Sequence, residues 1–170
     1  MFSTSDRIVL GPPQAFFPAH LFANEVWQKH IRGVTPTAGE VRIRWVDACL
    51  KAGFRNVTTA RPTTPVTLLY HDLVNPAGDA VIISALGGEG RAETNLWHLC
   101  ALLEKQGKGE EGRVKRGRGE LNIFFVRDSE GRLEVVYVSW VDDGWFFSHR
   151  NIDDPRGDWS PGTRIFYLDV

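Results

Sequence analysis

The chain has 170 residues, a formal net charge of −1 and 42% hydrophobic residues, which is the composition of one ordinary folded domain. The near-zero charge excludes a whole-molecule attraction to polyanions, and the apolar content excludes a disordered chain. No apolar run has the length of a membrane span, and the segment from Met1 to Arg7 lacks the pattern of a secretory signal. Because two cysteines are typical of reduced thiols, we expect a single cytoplasmic domain over residues 1–170 with no membrane partner.

The first fifty residues are predicted to form a strand and two helices. Residues 7–10 are a short apolar run that ends at a glycine and two prolines, as a strand does. Within 18–33, apolar residues recur at helical spacing. A second helix is expected within 37–53, but residues 41–45 alternate with period two and leave a strand open as the alternative for its first half.

The central segment is predicted to form a hairpin followed by a third helix. Residues 66–74 and 79–86 are rich in Val, Ile and Leu, and the Asn-Pro-Ala-Gly sequence between them is typical of a tight turn. A helix is expected from about Ala92 to Gln106, because leucines recur there at helical spacing. The Gly-rich segment 87–90 lacks the spacing of a phosphate-binding loop, so a plain turn is favoured there.

Residues 105–119 are the one compositional break in the chain. The segment holds five glycines, six basic residues and two acidic residues, a local charge of +4 against −5 for the rest of the chain. Val114 is its only large apolar side chain, and ordering such a backbone costs about 15–30 kcal/mol. We therefore expect a flexible Gly-rich basic loop that is mobile without a ligand.

From residue 121 onward the hydrophobic pattern changes to period two and predicts four strands. They cover 121–127, 132–141, 145–150 and 163–168, and tight turns join the first three into an antiparallel meander. The fourth strand returns through the longer loop 151–162. We therefore expect an α+β fold with a largely antiparallel sheet, made of two hairpins or a meander plus a return strand, and about three helices mainly on one face.

The C-terminal β-block, residues 122–167, has a distinctive set of turn and aromatic residues. It contains the run from Asn122 to Asp128, followed by Gly131, Trp140, Asp143-Gly144-Trp145, Asp153-Asp154-Pro155, Trp159, Gly162 and Phe166. This block resembles the ending of small uncharacterised proteins of uncultured bacteria. The resemblance covers under a third of the chain. It implies a compact β-module with Asp-Gly turns and a Trp-containing core, and it implies no activity.

A basic loop directly before an aromatic sheet is the strongest functional pattern in the sequence. Adjacent strand residues point to opposite faces, so the doublets Phe124-Phe125, Phe146-Phe147 and Phe166-Tyr167 place rings on both sides of the sheet. If helices cover one face, the other is an open platform for bases or a partner's side chains. A second covering layer and a merely solvated loop are the plainer alternatives. The predicted binding residues are Arg113, Lys115, Arg116, Arg118, Trp140, Trp145 and Trp159.

The leading hypothesis is a small binding or regulatory module that recognises a macromolecule, either a nucleic acid or an acidic protein surface. If each of the four predicted loop cations contacts a phosphate, the logarithm of the affinity falls with the logarithm of the salt concentration with a slope of about −3.6. A structural or self-associating protein that uses the sheet face or edge is a further alternative, which leaves the oligomeric state open.

A small enzyme of unrecognised type, using His/Asp acid–base chemistry, is the competing hypothesis. No nucleophile motif is present, and Cys49 and Cys100 fall on apolar helix faces where burial makes a thiol inert. The histidines lack the spacing of a metal site, so no metal and no cofactor are predicted, and a binding role is favoured over an enzymatic one. The weak catalytic candidates are His149 with Asp153 or Asp154, and His71.

Overall fold

The computed structural model describes residues 2–14, 17–22, 37–38, 41–57, 59–152 and 154–170. The strands in this part of the chain are β1 (Asp6–Leu10), β2 (Thr37–Ala38), β3 (Val41–Val46), β4 (Val66–Asp72), β5 (Glu93–Thr94), β6 (Asn122–Arg127), β7 (Leu133–Val141), β8 (Gly144–Asn151) and β9 (Arg164–Leu168). The helices are α1 (Pro18–Leu21), α2 (Ala48–Phe54), α3 (Asp79–Leu86), α4 (Glu89–Ala92) and α5 (Leu96–Glu104). None of these described helices is long and apolar enough to cross a membrane.

The strands form one mixed sheet in the order β1-β4-β9-β6-β7-β8-β3-β2, and the short β5 pairs with β6 off this path. Most neighbours are antiparallel, but β3 runs parallel to β8, and β6 runs parallel to both β9 and β5. The predicted meander of β6, β7 and β8 is confirmed. The prediction of an α+β fold with a largely antiparallel sheet is therefore confirmed in its coarse form, whereas the expected number of about three helices is wrong, because five are described, and some strand pairs are parallel. The parallel pairs join segments that no tight turn connects, so no local sequence pattern reveals them.

The alternation over residues 41–45 reflects a strand, so the helix expected within 37–53 is wrong in its first half. Val41 and Ile43 are fully buried in β3, next to β8 in the sheet. The helix of this region is α2, and it begins after Asp47, whose carboxylate accepts a hydrogen bond from the Cys49 N–H across 2.7 Å. The first helix starts at Pro18 as expected, but its remaining residues, including Val26, Trp27 and Ile31, lie outside the described residues.

The predicted hairpin is wrong in its second arm, because residues 79–86 form helix α3. Gly78 precedes the helix, and Gly87 ends it in the left-handed conformation at φ 100°. Ile82, Ile83 and Leu86 lie on one side of this short helix and are buried. A short run of Val and Ile fits a strand and a buried helix equally well, so the tertiary environment decided between them.

Apolar clusters cover both faces of the sheet. Along β6, Phe124 and Val126 point into a cluster with α2 and α5, while Ile123 and Phe125 point into a second cluster with α3 and α4. The expectation that helices lie mainly on one face is therefore wrong. The continuous apolar run of β6 is what a strand covered on both faces requires.

Candidate functional site

Two buried side-chain amides hold the backbone of the basic loop. The Gln106 amide donates to the carbonyl oxygens of Glu110 and Val114 at 2.9 and 3.0 Å and accepts from the Val114 N–H at 2.8 Å. The Asn122 amide accepts from the Lys115 N–H at 2.7 Å and donates to the Lys115 carbonyl oxygen at 2.9 Å. These contacts replace part of the apolar burial that the loop lacks, because buried backbone groups need partners. Mobility of 105–119 as a whole stays a prediction.

Loop glycines permit close packing against the sheet. A Cβ on Gly109 would lie 2.5 Å from the Trp140 ring, and one on Gly112 would lie 2.4 Å from the Gln106 side chain. Gly109 also has a φ of +76°, which a larger residue adopts only with strain. Gly109 and Gly112 are therefore needed for close packing in the folded loop, although glycines are equally typical of a flexible one.

The folded loop places Arg113 and Lys115 beside acidic residues of distant strands. Arg113 forms an ion pair with Asp6 of β1, and Lys115 lies 3.0 Å from the carboxylate of Asp72 on β4. Arg164 of β9 is the direct cross-strand partner of Asp72 and binds its carboxylate with two hydrogen bonds of 2.7 and 3.0 Å. We call this group the edge cluster; it comprises Asp6, Tyr70, Asp72, Arg113, Lys115 and Arg164.

Tyr70 lies at the centre of the edge cluster. Its hydroxyl donates to Asp6 across 2.6 Å and accepts from the Arg113 guanidinium across 2.8 Å, and the Arg164 guanidinium lies 4.2 Å from its ring centroid. Burial, and then the hydrogen bond with Asp6, raise the pKa of Tyr70, so it remains a neutral donor at pH 7. The Tyr70 hydrogen bond is the largest cause that lowers the pKa of Asp6.

Asp72 is the more firmly held of the two acids in the edge cluster. Burial acts to raise its pKa, but the hydrogen bonds and charges of Arg164 and Lys115 outweigh burial and lower the pKa of Asp72. The Lys115 ammonium also donates to the carbonyl oxygen of Gly162 across 2.7 Å. Asp72 thus connects β4 and β9 to the loop.

Arg116 and Arg118 extend the edge cluster into solvent. Both side chains are exposed, and within the described ranges neither forms an ion pair. The next residues form a turn in which the Gly117 N–H donates to the Glu120 carboxylate across 2.6 Å. Of the four predicted loop cations, Arg113 and Lys115 are therefore engaged by acids, whereas Arg116 and Arg118 extend freely from the folded part of the loop.

The aromatic part of the predicted binding site is not an open platform. Trp145 is completely buried, Trp159 is only 5% exposed, and Trp140 is half-buried against the loop. The rings of Phe124, Phe125, Phe147 and Phe166 are completely buried as well. Of the two alternatives left open for the aromatic sheet, the structure agrees with the covering layer and not with the open platform, because the two apolar clusters cover the sheet from both sides.

The acid–base candidates also have other neighbours than expected. Asp154 pairs with Arg156 at 2.8 Å, and Asp153 lies outside the described residues. His71 accepts a hydrogen bond at Nε2 from the Tyr167 hydroxyl across 2.6 Å, since its Nδ1 lies 2.8 Å from the Ser3 carbonyl oxygen and must carry the proton there. The Asp72 carboxylate is bound by Arg164, so His71 and Asp72 form no pair.

His149 instead lies beside the buried carboxylate of Glu134, which no motif in the sequence indicates. Its Nε2 is 3.6 Å from the Glu134 carboxylate, and both of its ring nitrogens are buried without a hydrogen-bond partner in the part of the chain that the structure describes. Burial lowers the pKa of His149, so the imidazole is neutral at pH 7. Glu134 also lines a cleft of about 580 Å³, whose other walls are Glu89, Arg127, Arg132, Leu133, Asn151, Ile152, Asp154 and Pro155.

The two cysteines differ in environment. Cys49 is exposed near the start of α2, so its expected place on a buried helix face is wrong, whereas Cys100 is completely buried in α5. Burial raises the pKa of the Cys100 thiol, which makes it inert. Among the described residues, no group of three or more His, Cys, Asp or Glu side chains is arranged to hold a metal ion.

The partners of the loop cations were missed because they are remote in sequence. Asp6 is 107 residues and Tyr70 is 43 residues from Arg113. The alternation of β4 indicates that Tyr70 and Asp72 share a face, but only the pairing of strands shows what they face.

Comparison with known proteins finds no matching family model, no similar curated protein and no similar solved structure.

Proposed function

We propose that the protein is a small cytoplasmic binding module that recognises an acidic surface of a partner protein through the edge cluster together with Arg116 and Arg118. The observation that carries this proposal is the convergence of three cations, Arg113, Lys115 and Arg164, on carboxylates in the geometry that carboxylate recognition uses. The two free cysteines support a reducing compartment.

Carboxylate recognition is favoured over nucleic-acid recognition because the aromatic platform is closed. Single-stranded nucleic acid gains about 1–3 kcal/mol per base from stacking on exposed rings, and the rings expected to supply it are buried. Duplex binding relies on free cations. Of the four predicted binding cations, only Arg116 and Arg118 can contact a duplex without displacing Asp6 or Asp72, which corresponds to a salt slope of about −1.8 rather than about −3.6.

A fluorescence titration with labelled decaglutamate tests the proposal at low and at physiological salt. We expect saturable binding that weakens with salt and is lost in the double variant Arg116→Gln and Arg118→Gln. The control is Arg42→Gln. This variant removes a cation that pairs with Asp143 and lies in β3, near the other edge of the sheet. Absence of decaglutamate binding at low salt contradicts the proposal, and tighter binding of a duplex oligonucleotide of the same charge favours the nucleic-acid alternative.

Acid–base catalysis by Glu134, which lines the cleft, with His149 as its buried neighbour is a second candidate function. The observation that favours it is the neutral imidazole of His149, which is held with unpaired ring nitrogens 3.6 Å from a buried carboxylate. An NMR titration with a panel of small amines and carboxylic acids tests it. We expect shifts at Glu134, Asn151 and Ile152 that disappear in His149→Gln, and an unchanged spectrum with the whole panel contradicts this candidate.

A further inference from the structure

We propose that Asp6 is an internal competitor for the carboxylate site formed by Arg113 and Tyr70, so that an acidic partner binds by replacing the Asp6 carboxylate. This inference rests on the proposed function and names its ligand contact. The site consists of one guanidinium and one phenol hydroxyl that both contact the same carboxylate of β1. A glutamate or aspartate side chain of a partner carries the same group.

The two acids of the edge cluster differ in how easily they can be displaced. Asp72 receives two hydrogen bonds from Arg164 and one contact from Lys115, and these two cations are 14% and 17% exposed. Asp6 and Arg113 are 49% and 50% exposed. An exposed ion pair of this kind favours the closed state by a factor of only about two to five, so an external carboxylate can compete with Asp6 at little cost.

The donors of this site keep their positions when Asp6 leaves. The Arg113 carbonyl oxygen accepts a hydrogen bond from Arg164 across 2.7 Å, and the neighbouring Val114 is buried and bound to Gln106. Tyr70 is only 8% exposed and packs against Phe166. The departure of Asp6 therefore leaves a hydroxyl donor and a guanidinium donor in place, which reduces the entropic cost of binding a new carboxylate.

The position of the site fits a partner that carries several acidic residues. Arg116 and Arg118 follow Arg113 within five residues, so an acidic segment that contacts Arg113 has two further exposed cations beside it. Exchange of one carboxylate for another leaves the charge at Arg113 unchanged, and the gain in binding comes from the added contacts to the free arginines. Asp6 thereby lowers the affinity of every carboxylate by the same small factor, and a segment that also contacts Arg116 and Arg118 regains more than this loss.

The test compares decaglutamate affinity for the wild type, Asp6→Asn and the double variant Asp6→Asn with Arg113→Gln. We expect Asp6→Asn to bind decaglutamate about two- to fivefold more tightly than the wild type and the double variant to lose that gain. Asp143→Asn is the matched control, since it breaks another exposed Asp–Arg pair. Asp143 lies in the turn after β7, which is the fourth strand from β1 in the sheet order.

The outcomes separate the competitor role from the proposed function. If the wild type binds decaglutamate and Asp6→Asn binds it equally or more weakly, the competitor role is overturned and the binding module stands. A gain that persists in the double variant also overturns it, because the gain then does not depend on Arg113, and an equal gain in Asp143→Asn overturns it because the gain then comes from net charge alone. If neither the wild type nor Asp6→Asn binds, both proposals are overturned. Thermal melting of each variant confirms that the folded protein is being compared.

Discussion

The indole Nε1 of Trp145 donates a hydrogen bond to the backbone carbonyl oxygen of Gln106 across 2.9 Å, although 39 residues separate the two. The next carbonyl, of Gly107, accepts from the Arg42 N–H at 2.7 Å. The Gly-rich segment therefore starts inside the fold, between a buried tryptophan of β8 and the parallel strand β3. Its first half is a support that positions Arg113 at the sheet edge, and its exposed arginines are the part that is available to a partner.

Substitution of Gly109 by alanine tests the packing of this support. The added Cβ requires displacement of the Trp140 ring and occupies a positive φ, so we expect a loss of about 2–4 kcal/mol in the free energy of unfolding. Gly11→Ala is the control, because nothing lies within 4 Å of a Cβ there. Urea denaturation of both variants measures the difference, and equal stabilities contradict a packed loop.

Gln106→Leu tests the amide that holds the loop. Leucine preserves the volume but leaves the Val114 N–H and two carbonyl oxygens without their partner, so we expect a loss of about 3 kcal/mol and faster hydrogen exchange over 107–115. Gln14→Leu changes an exposed amide and should alter stability by less than about 0.5 kcal/mol. If the loop is already mobile in the wild type, hydrogen exchange over 107–115 is the same in Gln106→Leu as in the wild type.

Asp79→Asn tests a buried charge pair on the other face of the sheet. Asp79 accepts from Arg150 at 2.8 Å and from the Trp159 indole at 2.5 Å, and Arg150 lies 3.7 Å above the Trp159 ring. Loss of the carboxylate leaves a buried guanidinium without its counter-ion, so we expect a destabilisation of about 3–5 kcal/mol. Asp143→Asn, at an exposed pair, should cost less than about 1 kcal/mol. Similar losses in the two variants would show that the Arg150 pair is not effectively buried.

His98 is expected to make the fold sensitive to acid. Burial lowers its pKa from 6.5 to about 4, and its Nδ1 accepts the Asn95 N–H at 3.3 Å, which a protonated nitrogen cannot do. The unfolded chain therefore binds the proton more readily. The stabilisation is complete above pH 6.5 and is lost as the pH falls toward 4, by about 2 kcal/mol at pH 4.5.

Denaturation at pH 7 and pH 4.5 measures this contribution of His98. Glutamine at position 98 can keep the capping hydrogen bond and does not titrate, so His98→Gln should lose less stability between the two pH values than the wild type. His20→Gln is the control, because His20 makes the corresponding capping contact at α1, where its Nδ1 accepts the Phe17 N–H at 3.1 Å, but is less buried than His98. An identical loss in the wild type and His98→Gln contradicts the assignment.

Strands with strong alternation and tight turns could be predicted from the sequence. The Asp142-Asp143 turn of the β7–β8 hairpin adopts the positive φ values of 44° and 70° that such a turn needs, and this is a local property of those residues. The ambiguity at residues 41–45 was visible as well, because period-two alternation and helical spacing coexist there. Residues 79–86 form a helix and not the strand that their composition predicts, since a short apolar run has no period that separates a buried helix from a strand.

Two features of the candidate site can be read from the chain without its fold: a cluster of basic residues in a glycine-rich segment, and strands with apolar residues on both faces. The assembled fold decides which of those cations are available, because Asp6, Tyr70 and Asp72 reach Arg113 and Lys115 through the β1-β4-β9 edge of the sheet. It likewise decided that the aromatic rings are core, by placing helices on both faces. Charge and hydrophobicity are local properties of a chain, whereas exposure and ion pairing depend on segments that meet only when the sheet is assembled.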